Sequence, residues 1–262
     1  MSNEKRTSMI VYHKNLIRDD LIGMSNEDLI RDSKFSQAKP TRLLPALNKD
    51  YIFWMPNYGV GREDLNTVHD YRYVDSVFEN DLTTANYALA TVNAHWVAAG
   101  YAAMNGINTI APVSGFHHAG YDYSWGFCVF NGLIYSAKRL LDLYPEIHIV
   151  IIDGDTHEGD GCLDIIKKLD IKRVLYFSEE KNYNEILKII PKQSIIFYQA
   201  GVDGHVDDSF GGTMTDADYE AREIALLESG IPTVVNLAGG YTDHAMHLHL
   251  STIERFTKWP DC

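Results

Sequence analysis

The 262-residue chain carries 23 Lys and Arg against 36 Asp and Glu, a formal net charge of −13. That balance repels nucleic-acid phosphates and anionic membrane surfaces, so direct nucleic-acid or membrane binding is not expected and a cationic or neutral partner is favoured. A hydrophobic content of 45% is ample for one large core, and no repeat, low-complexity tract or Pro/Gly/Ser linker divides the sequence, so residues 1–262 are expected to form a single domain.

Taken in chain order, short β-branched or aromatic runs recur at MIVY (9–12), YIFW (51–54), INTIAPV (107–113), HIVII (148–152), RVLYF (173–177), SIIFY (194–198) and TVVNL (233–237). The apolar residues run on without alternating, which predicts strands buried on both faces. Helical patterns lie between them, at Leu82 to Met104, Leu133 to Leu143, Tyr183 to Ile190, Asp216 to Glu228 and Asp243 to Phe256. Residues 13–80 are less regular, with turn signals such as MPNYGVG (55–61), and read as peripheral helices and loops. Strand and helix alternate from about residue 107 onward, which predicts an α/β domain: three layers around a doubly wound, mainly parallel sheet.

The start, MSNEKRTSMIVYHKN, lacks a long apolar leader, and no run of eighteen apolar residues follows, so an unexported, soluble protein is expected. Cys128, Cys162 and Cys262 lack CxxC spacing, which points away from a disulfide framework or a structural zinc knuckle and fits a reducing cytoplasm.

Open parallel sheets bind ligands beyond the carboxyl ends of their strands, and the polar clusters fall there. HIVII runs into DGDTHEGDG, SIIFYQA into GVDGHVDD, TVVNLA into GGYTDH and INTIAPV into SGFHHAG. If the first of these stays extended, Asp153, Asp155 and His157 project to one side of the chain, as metal ligands do. A metal ion is the commonest reason to gather carboxylates where desolvation raises their pKa values. The plainer explanation is that Asp153 and Asp155 cap a following helix while His157 is a surface residue. Asp203 offers a further anionic ligand or an Asx turn; His117 and His118 are a functional pair or loop packing; Tyr241 is a site residue or a core aromatic.

Together these blocks resemble the zinc-dependent histone deacetylase family, which includes acetylpolyamine amidohydrolases, on the arginase/deacetylase fold. The resemblance rests on GFHHAGYDYSWGFCVFN (115–131), VIIDGDTHEGDG (150–161), AGVDGHVDDSFGG (200–212) and LAGGYTDH (237–244), with weaker matches at KPTRLLPAL (39–47) and VHDYRYVDSV (68–77). It implies a metal-dependent amidohydrolase that removes an acetyl or other short acyl group from an acyl-lysine, acylpolyamine or related small N-acyl amine. Zinc, or alternatively ferrous iron, would be held by Asp155, His157 and Asp203. His117, backed by Asp153, and His118, backed by Asp160, would move protons, and Tyr241 would bind the substrate carbonyl. Gly126, Phe127, Gly239 and Gly240 would line the substrate channel, and Ser178 would join Asp153, Asp155 and His157 at a structural potassium ion.

The sequence also departs from that family. Glu158 follows His157 where a second histidine is usual, Ser209 and Phe210 replace Pro and Leu, Ala238 precedes GGY, and only 24 residues separate Ser178 from Asp203. A shorter segment implies a shallower or differently walled channel. Trp54, Tyr121, Tyr123 and Trp125 could rebuild a wall or serve as ordinary packing, and Asp81 could grip substrate or cap a helix. Two other functions compete: a guanidine hydrolase of the arginase type with two manganese ions, and a catalytically silent acyl-lysine binding or scaffold protein. The sequence leaves the oligomeric state open.

Overall fold

The computed structural model describes residues 8–32, 34–55, 59–178 and 183–259. Seven parallel strands form one sheet: β1 (Ser8–Tyr12), β2 (Ile52–Trp54), β3 (Asn108–Ala111), β4 (His148–Asp153), β5 (Val174–Ser178), β6 (Ser194–Ala200) and β7 (Thr233–Leu237), in the order β2-β1-β3-β7-β6-β4-β5. Each predicted apolar run supplies one of these strands. The central strands β1, β6 and β7 are buried along their whole length, as unbroken apolar runs require. The edge strands β2 and β5 are only partly buried, which corrects the expectation for those two runs. An edge strand has a neighbour on one side only, so the outer part of its surface stays in water.

Helices cover the sheet: α1 (Asn26–Arg31), α2 (Phe35–Leu43), α3 (Tyr71–Asn80), α4 (Leu82–Asn105), α5 (Gly132–Leu143), α6 (Asp160–Lys168), α7 (Tyr183–Ile189), α8 (Asp216–Glu228) and α9 (Asp243–Lys258). Their ends follow from local chemistry. Asp81 accepts a hydrogen bond from the Thr84 amide at 3.0 Å to start α4, and Gly106, at φ 63°, ends it in the left-handed region. Thr215 and Asp218 close a reciprocal capping box on α8, and Thr242 caps α9. The segment expected to be peripheral holds α1 to α3 and short 3-10 turns; of the MPNYGVG turn, residues 56–58 lie outside the described residues, as does Cys262. Cys128 and Cys162 are free and buried. Among the described residues no helix is long and apolar enough to cross a membrane.

The helix that the plainer explanation of the DGDTH loop called for is α6, but it starts at Asp160 after Gly159 and neither Asp153 nor Asp155 caps it. Its first residues, Asp-Gly-Cys, continue an Asp- and Gly-rich loop, so the helical periodicity of Cys162, Ile165, Ile166 and Leu169 begins inside what looks like a turn. Placement of this helix matters, because its first turn packs on the backbone of His117 and His118: the Cys162 amide donates to His117 O at 3.0 Å.

Candidate active site

The carboxyl ends of β3, β7, β6 and β4 lie side by side in the sheet, with Asp153 paired to Gln199 and Ala200 to Leu237. β4 ends at Asp153, and the chain bends through residues 155–157. Asp153 therefore does not share a side with Asp155 and His157, as strand alternation alone would place it. Its Oδ1 accepts the Asp155 amide at 3.1 Å and Gln199 Nε2 at 2.9 Å, while Oδ2 accepts from His117 Nδ1 at 2.8 Å and from the Tyr176 hydroxyl. Two donors on each oxygen fill the carboxylate's lone-pair sites. A potassium ion at this place would have to rest on backbone carbonyls rather than on the Asp153 side chain; Ser178, the last residue of β5, pairs with Asp153.

Past the bend, Asp155, His157 and Asp203 turn toward one another. His157 Nδ1 lies 2.9 Å from Asp155 Oδ1 and 2.9 Å from Asp203 Oδ2. Backbone amides hold the carboxylates in place: Gly239 N donates to Asp155 Oδ2 at 2.8 Å and Thr156 N to Asp203 Oδ1 at 3.1 Å. Asp203 Oδ2 is buried and has no hydrogen bond of its own, since the His157 Nδ1 that faces it is bonded to Asp155 Oδ1. One nitrogen and two carboxylate oxygens around a point, one of them orphaned, is a donor set that fits a zinc or ferrous ion and leaves a coordination position open. Only glycine fits at 239, where a Cβ would lie 2.4 Å from Asp203 Cγ. Behind the cluster the buried Arg222 guanidinium reaches Gly154 O at 3.3 Å and Gly201 O at 3.0 Å, tying the two ligand-bearing loops to α8. The carboxylates of Asp155 and Asp203, both facing Nδ1, push the His157 imidazole up to about 10.

The tandem histidines face the same space with their Nδ1 atoms tied behind them. His118 Nδ1 meets Asp160 Oδ1 at 2.7 Å, as His117 Nδ1 meets Asp153. That leaves Nε2 of each ring toward the cavity, with His117 Nε2 3.8 Å from Asp155 Oδ1. The two rings differ in charge. Burial opposes protonation of His117, but the combined pull of Asp153, Asp155 and Asp203 carries it up to about 9. His118 is held below its ordinary value by burial and by the neighbouring His117 charge, which together outweigh Asp160. Adjacent imidazoles with pKa values driven apart are suited to different protonation states at neutral pH.

A cavity of about 120 Å³ opens above these groups, with Trp125, Phe127, Phe210 and Tyr241 around it. The Trp125 ring lies on His118 with centroids 3.7 Å apart, and its Nε1 donates to Asp160 Oδ2 at 2.8 Å. Gly126, at φ 55°, permits that approach, since a Cβ there would meet His118 at 2.3 Å. Phe127 has φ 66°, an unusual backbone for a bulky residue, and its ring is 5.7 Å from Tyr241. Tyr241 is also packed by Phe35 at 5.7 Å and Phe210 at 5.0 Å, while its amide donates to Asp208 Oδ2 at 2.8 Å. Burial, then the charges of Asp155 and Asp203, drive the Tyr241 hydroxyl well above the ordinary phenol range and keep it protonated. Gly240, at φ 122°, carries the turn into it.

Several residues stand elsewhere. Trp54 packs on Tyr12 at 5.6 Å, and neither it nor Tyr121 or Tyr123 lines the cavity; Asp81 is a helix cap at the border of an adjoining surface cavity of about 650 Å³. Glu158 is exposed and outside the Asp155, His157, Asp203 group. Phe210, Lys39 and Arg222 stand at or behind the site without any local sequence signal that would place them there. Lys39, fully buried, donates to Ala238 O and lies 5.5 Å from the Tyr241 ring centroid; burial lowers its ammonium to about 8 despite the nearby carboxylates. The KPTRLLPAL stretch contained it, but nothing local distinguishes a buried lysine from a surface one.

The model of the histone deacetylase domain family matches residues 33–185, more than half of the chain. The chain belongs to that family. It is 31% identical over 165 residues to histone deacetylase 4 of Caenorhabditis briggsae, covering 60% of this chain and 18% of that one. It is 29% identical over 163 residues to an uncharacterized protein of Picosynechococcus, covering 48% and 54%. A shorter match, 38% identical over 74 residues, links it to polyamine deacetylase HDAC10 of Mus musculus, covering 28% and 10%. The chain thus spans about half the length of one of these relatives and far less of the others. Among solved structures, the HDA15 HD domain superposes with a TM-score of 0.72 at 16% identity, covering 95% of this chain and 87% of that one. The shared architecture is the α/β fold of arginases and deacetylases. The family match ends before Asp203 and Tyr241, whose places in this chain follow from the fold.

Proposed function

We propose that this chain is a metal-dependent amidohydrolase that removes an acetyl or other short acyl group from an amine. The observation that carries this reading is the convergence on one cavity of the Asp155, His157 and Asp203 cluster, the Nε2 atoms of His117 and His118, and Tyr241. A zinc or ferrous ion on that cluster supplies Lewis acidity toward the amide carbonyl and lowers the pKa of a water. His118, its Nδ1 proton held by Asp160, accepts a proton from the attacking water at Nε2 and returns one to the leaving amine. His117, its Nδ1 held by Asp153, turns Nε2 toward the carbonyl oxygen and would stabilise the negative charge that develops there. Tyr241 donates its hydroxyl proton to that oxygen in a hydrogen bond. Trp125 covers one face of His118 and limits the access of bulk water.

Charge and shape bear on the substrate. A net charge of −13 favours an amine or lysine bearer over an anion, and a cavity of about 120 Å³ suits a short acyl group. Phe210 and Trp125 wall it in place of the segment shortened between Ser178 and Asp203. The test is turnover of acetylated polyamines, acyl-lysine peptides and other N-acyl amines by the purified protein. Hydrolysis of at least one class is expected, abolished by a chelator and restored by zinc. Full metal occupancy with no turnover of any member would overturn the proposal and leave an acyl-lysine binding protein.

A further inference from the structure

On the far side of the Tyr241 turn, four polar side chains from three segments meet. His205 and Asp207 follow β6, Asp216 opens α8 and His244 lies in the first turn of α9. Asp216 Oδ1 is 2.9 Å from His205 Nε2 and 2.8 Å from His244 Nε2, and the two imidazole centroids are 4.6 Å apart. His205, Asp207 and His244 also bring one ligand atom each within 4.8 Å of one another. His205 is fixed from behind: it is 5% exposed, its ring stacks on Tyr219 at 6.2 Å, and its carbonyl accepts the Gly212 amide. The other three reach solvent, so an ion could enter without opening the core.

We propose that His205, His244 and Asp216 form a second site, separate from Asp155, His157 and Asp203, for a divalent transition-metal ion of the zinc class. Two imidazole nitrogens and one carboxylate oxygen converging at the surface are ligands of that type, and the solvent side leaves room for water as the fourth. At present the Asp207 amide donates to His205 Nδ1 at 3.0 Å, so the ring proton of the neutral imidazole sits on Nε2, facing Asp216. Coordination through Nε2 requires each ring to carry its proton on Nδ1. The exposed Asp207 turns its amide away, and its carboxylate, now 3.8 Å from Nδ1, takes the His205 proton in a hydrogen bond. A carboxylate behind a ligating histidine is the usual support for such an ion. Occupancy would tie the loop of Asp208, which receives the Tyr241 amide, to the start of α9.

The experiment is equilibrium binding of zinc, and separately of cobalt(II) followed by its visible absorption, to the metal-depleted full chain. The wild type binds two equivalents. His244→Ala and Asp216→Asn each lose one and keep their melting temperature without metal, whereas Asp155→Asn loses the other and keeps this one. Turnover is not the readout, so a failure of the amidohydrolase reading leaves the result intact. Zinc binding up to about 100 µM free metal that His244→Ala and Asp216→Asn leave unchanged in stoichiometry overturns the proposal, whether the wild type binds one equivalent or two.

Discussion

At the floor of the cavity, Asp153, Asp155 and Asp203 expose 4% of their surface or less, and every carboxylate oxygen except Asp203 Oδ2 accepts a hydrogen bond from an amide, an imidazole or a phenol. At its rim, Trp125 and Phe210 leave half or more of their surface in water, and among the described residues Phe210 makes ring contacts with His157 and Tyr241 alone. The floor is over-determined: each carboxylate is held by backbone or side-chain donors that are themselves fixed in the fold. The rim is held by a few aromatic contacts, each of small energy, and by the single Trp125 hydrogen bond to Asp160. Changes to the floor are therefore expected to alter chemistry, and changes to the rim to alter only who enters.

The largest effect is expected at Asp203. Replacing it with Asn keeps the shape and the Thr156 contact but removes the charge at the orphaned oxygen. Metal affinity should fall by at least about 100-fold and turnover below detection. Metal content by mass spectrometry beside kcat/KM measures this. A variant that keeps its zinc would show that the floor is not the metal centre.

Next comes Tyr241→Phe, which removes one hydroxyl and leaves the Asp208 contact to the backbone amide intact. A loss of roughly 100-fold or more in kcat is expected with metal content unchanged, as for an oxyanion donor. Unchanged turnover would move Tyr241 from the floor to the rim.

The contrast also explains what could be read from the sequence. Floor residues come in short blocks at the ends of apolar runs, such as HHA after β3, DGDTH after β4 and GGY after β7, so strand periodicity and local motif point to one sheet edge together. The direction of Asp153 was not legible, because it depends on the strand stopping at that residue and the chain bending at the next ones. The start of α6 was hidden because its first turn is part of the same loop. Rim and backing residues were harder still. Lys39, Phe210 and Arg222 reach the site from α2, a surface turn and α8, and only long-range packing brings them there. The partial exposure of β2 and β5 likewise reflects strand order, which apolar runs do not encode.

The loop that carries the tandem histidines gives a prediction that lies between floor and rim. His69 is buried, with Nδ1 2.8 Å from Gly120 O and Nε2 accepting the Asn131 amide at 2.9 Å, so it holds both ends of that loop as a neutral ring. Burial lowers its pKa to about 4 from the ordinary 6.5. Between those values the unfolded chain takes up a proton that the folded chain refuses, so stability is complete above about 6.5 and falls as pH drops toward 4. The slope from this group is about 1.4 kcal/mol per pH unit, or about 3 kcal/mol in all. Urea unfolding across that window should show the loss, and a His69→Gln variant should be less stable at neutral pH with a shallower slope. Equal slopes would mean that another buried group governs the acid limb.

The smallest effect is expected at Phe210, where the rim is most exposed. Its ring lies 5.5 Å from His157 and 5.0 Å from Tyr241 but is 56% exposed, so it orders neither through burial. Truncation to Ala removes one face of the entrance and costs a bound substrate about 1 kcal/mol of apolar contact, or about a 5-fold rise in KM. Folding stability should change by less than about 0.5 kcal/mol, as for a surface substitution away from buried features. Turnover at saturating substrate should stay within about 2-fold, because the groups proposed to move protons are anchored by Asp153 and Asp160 rather than by the ring. A fall in kcat as large as the rise in KM would show that Phe210 helps to hold His157 or Tyr241 in register, and the boundary between floor and rim would then run through this residue.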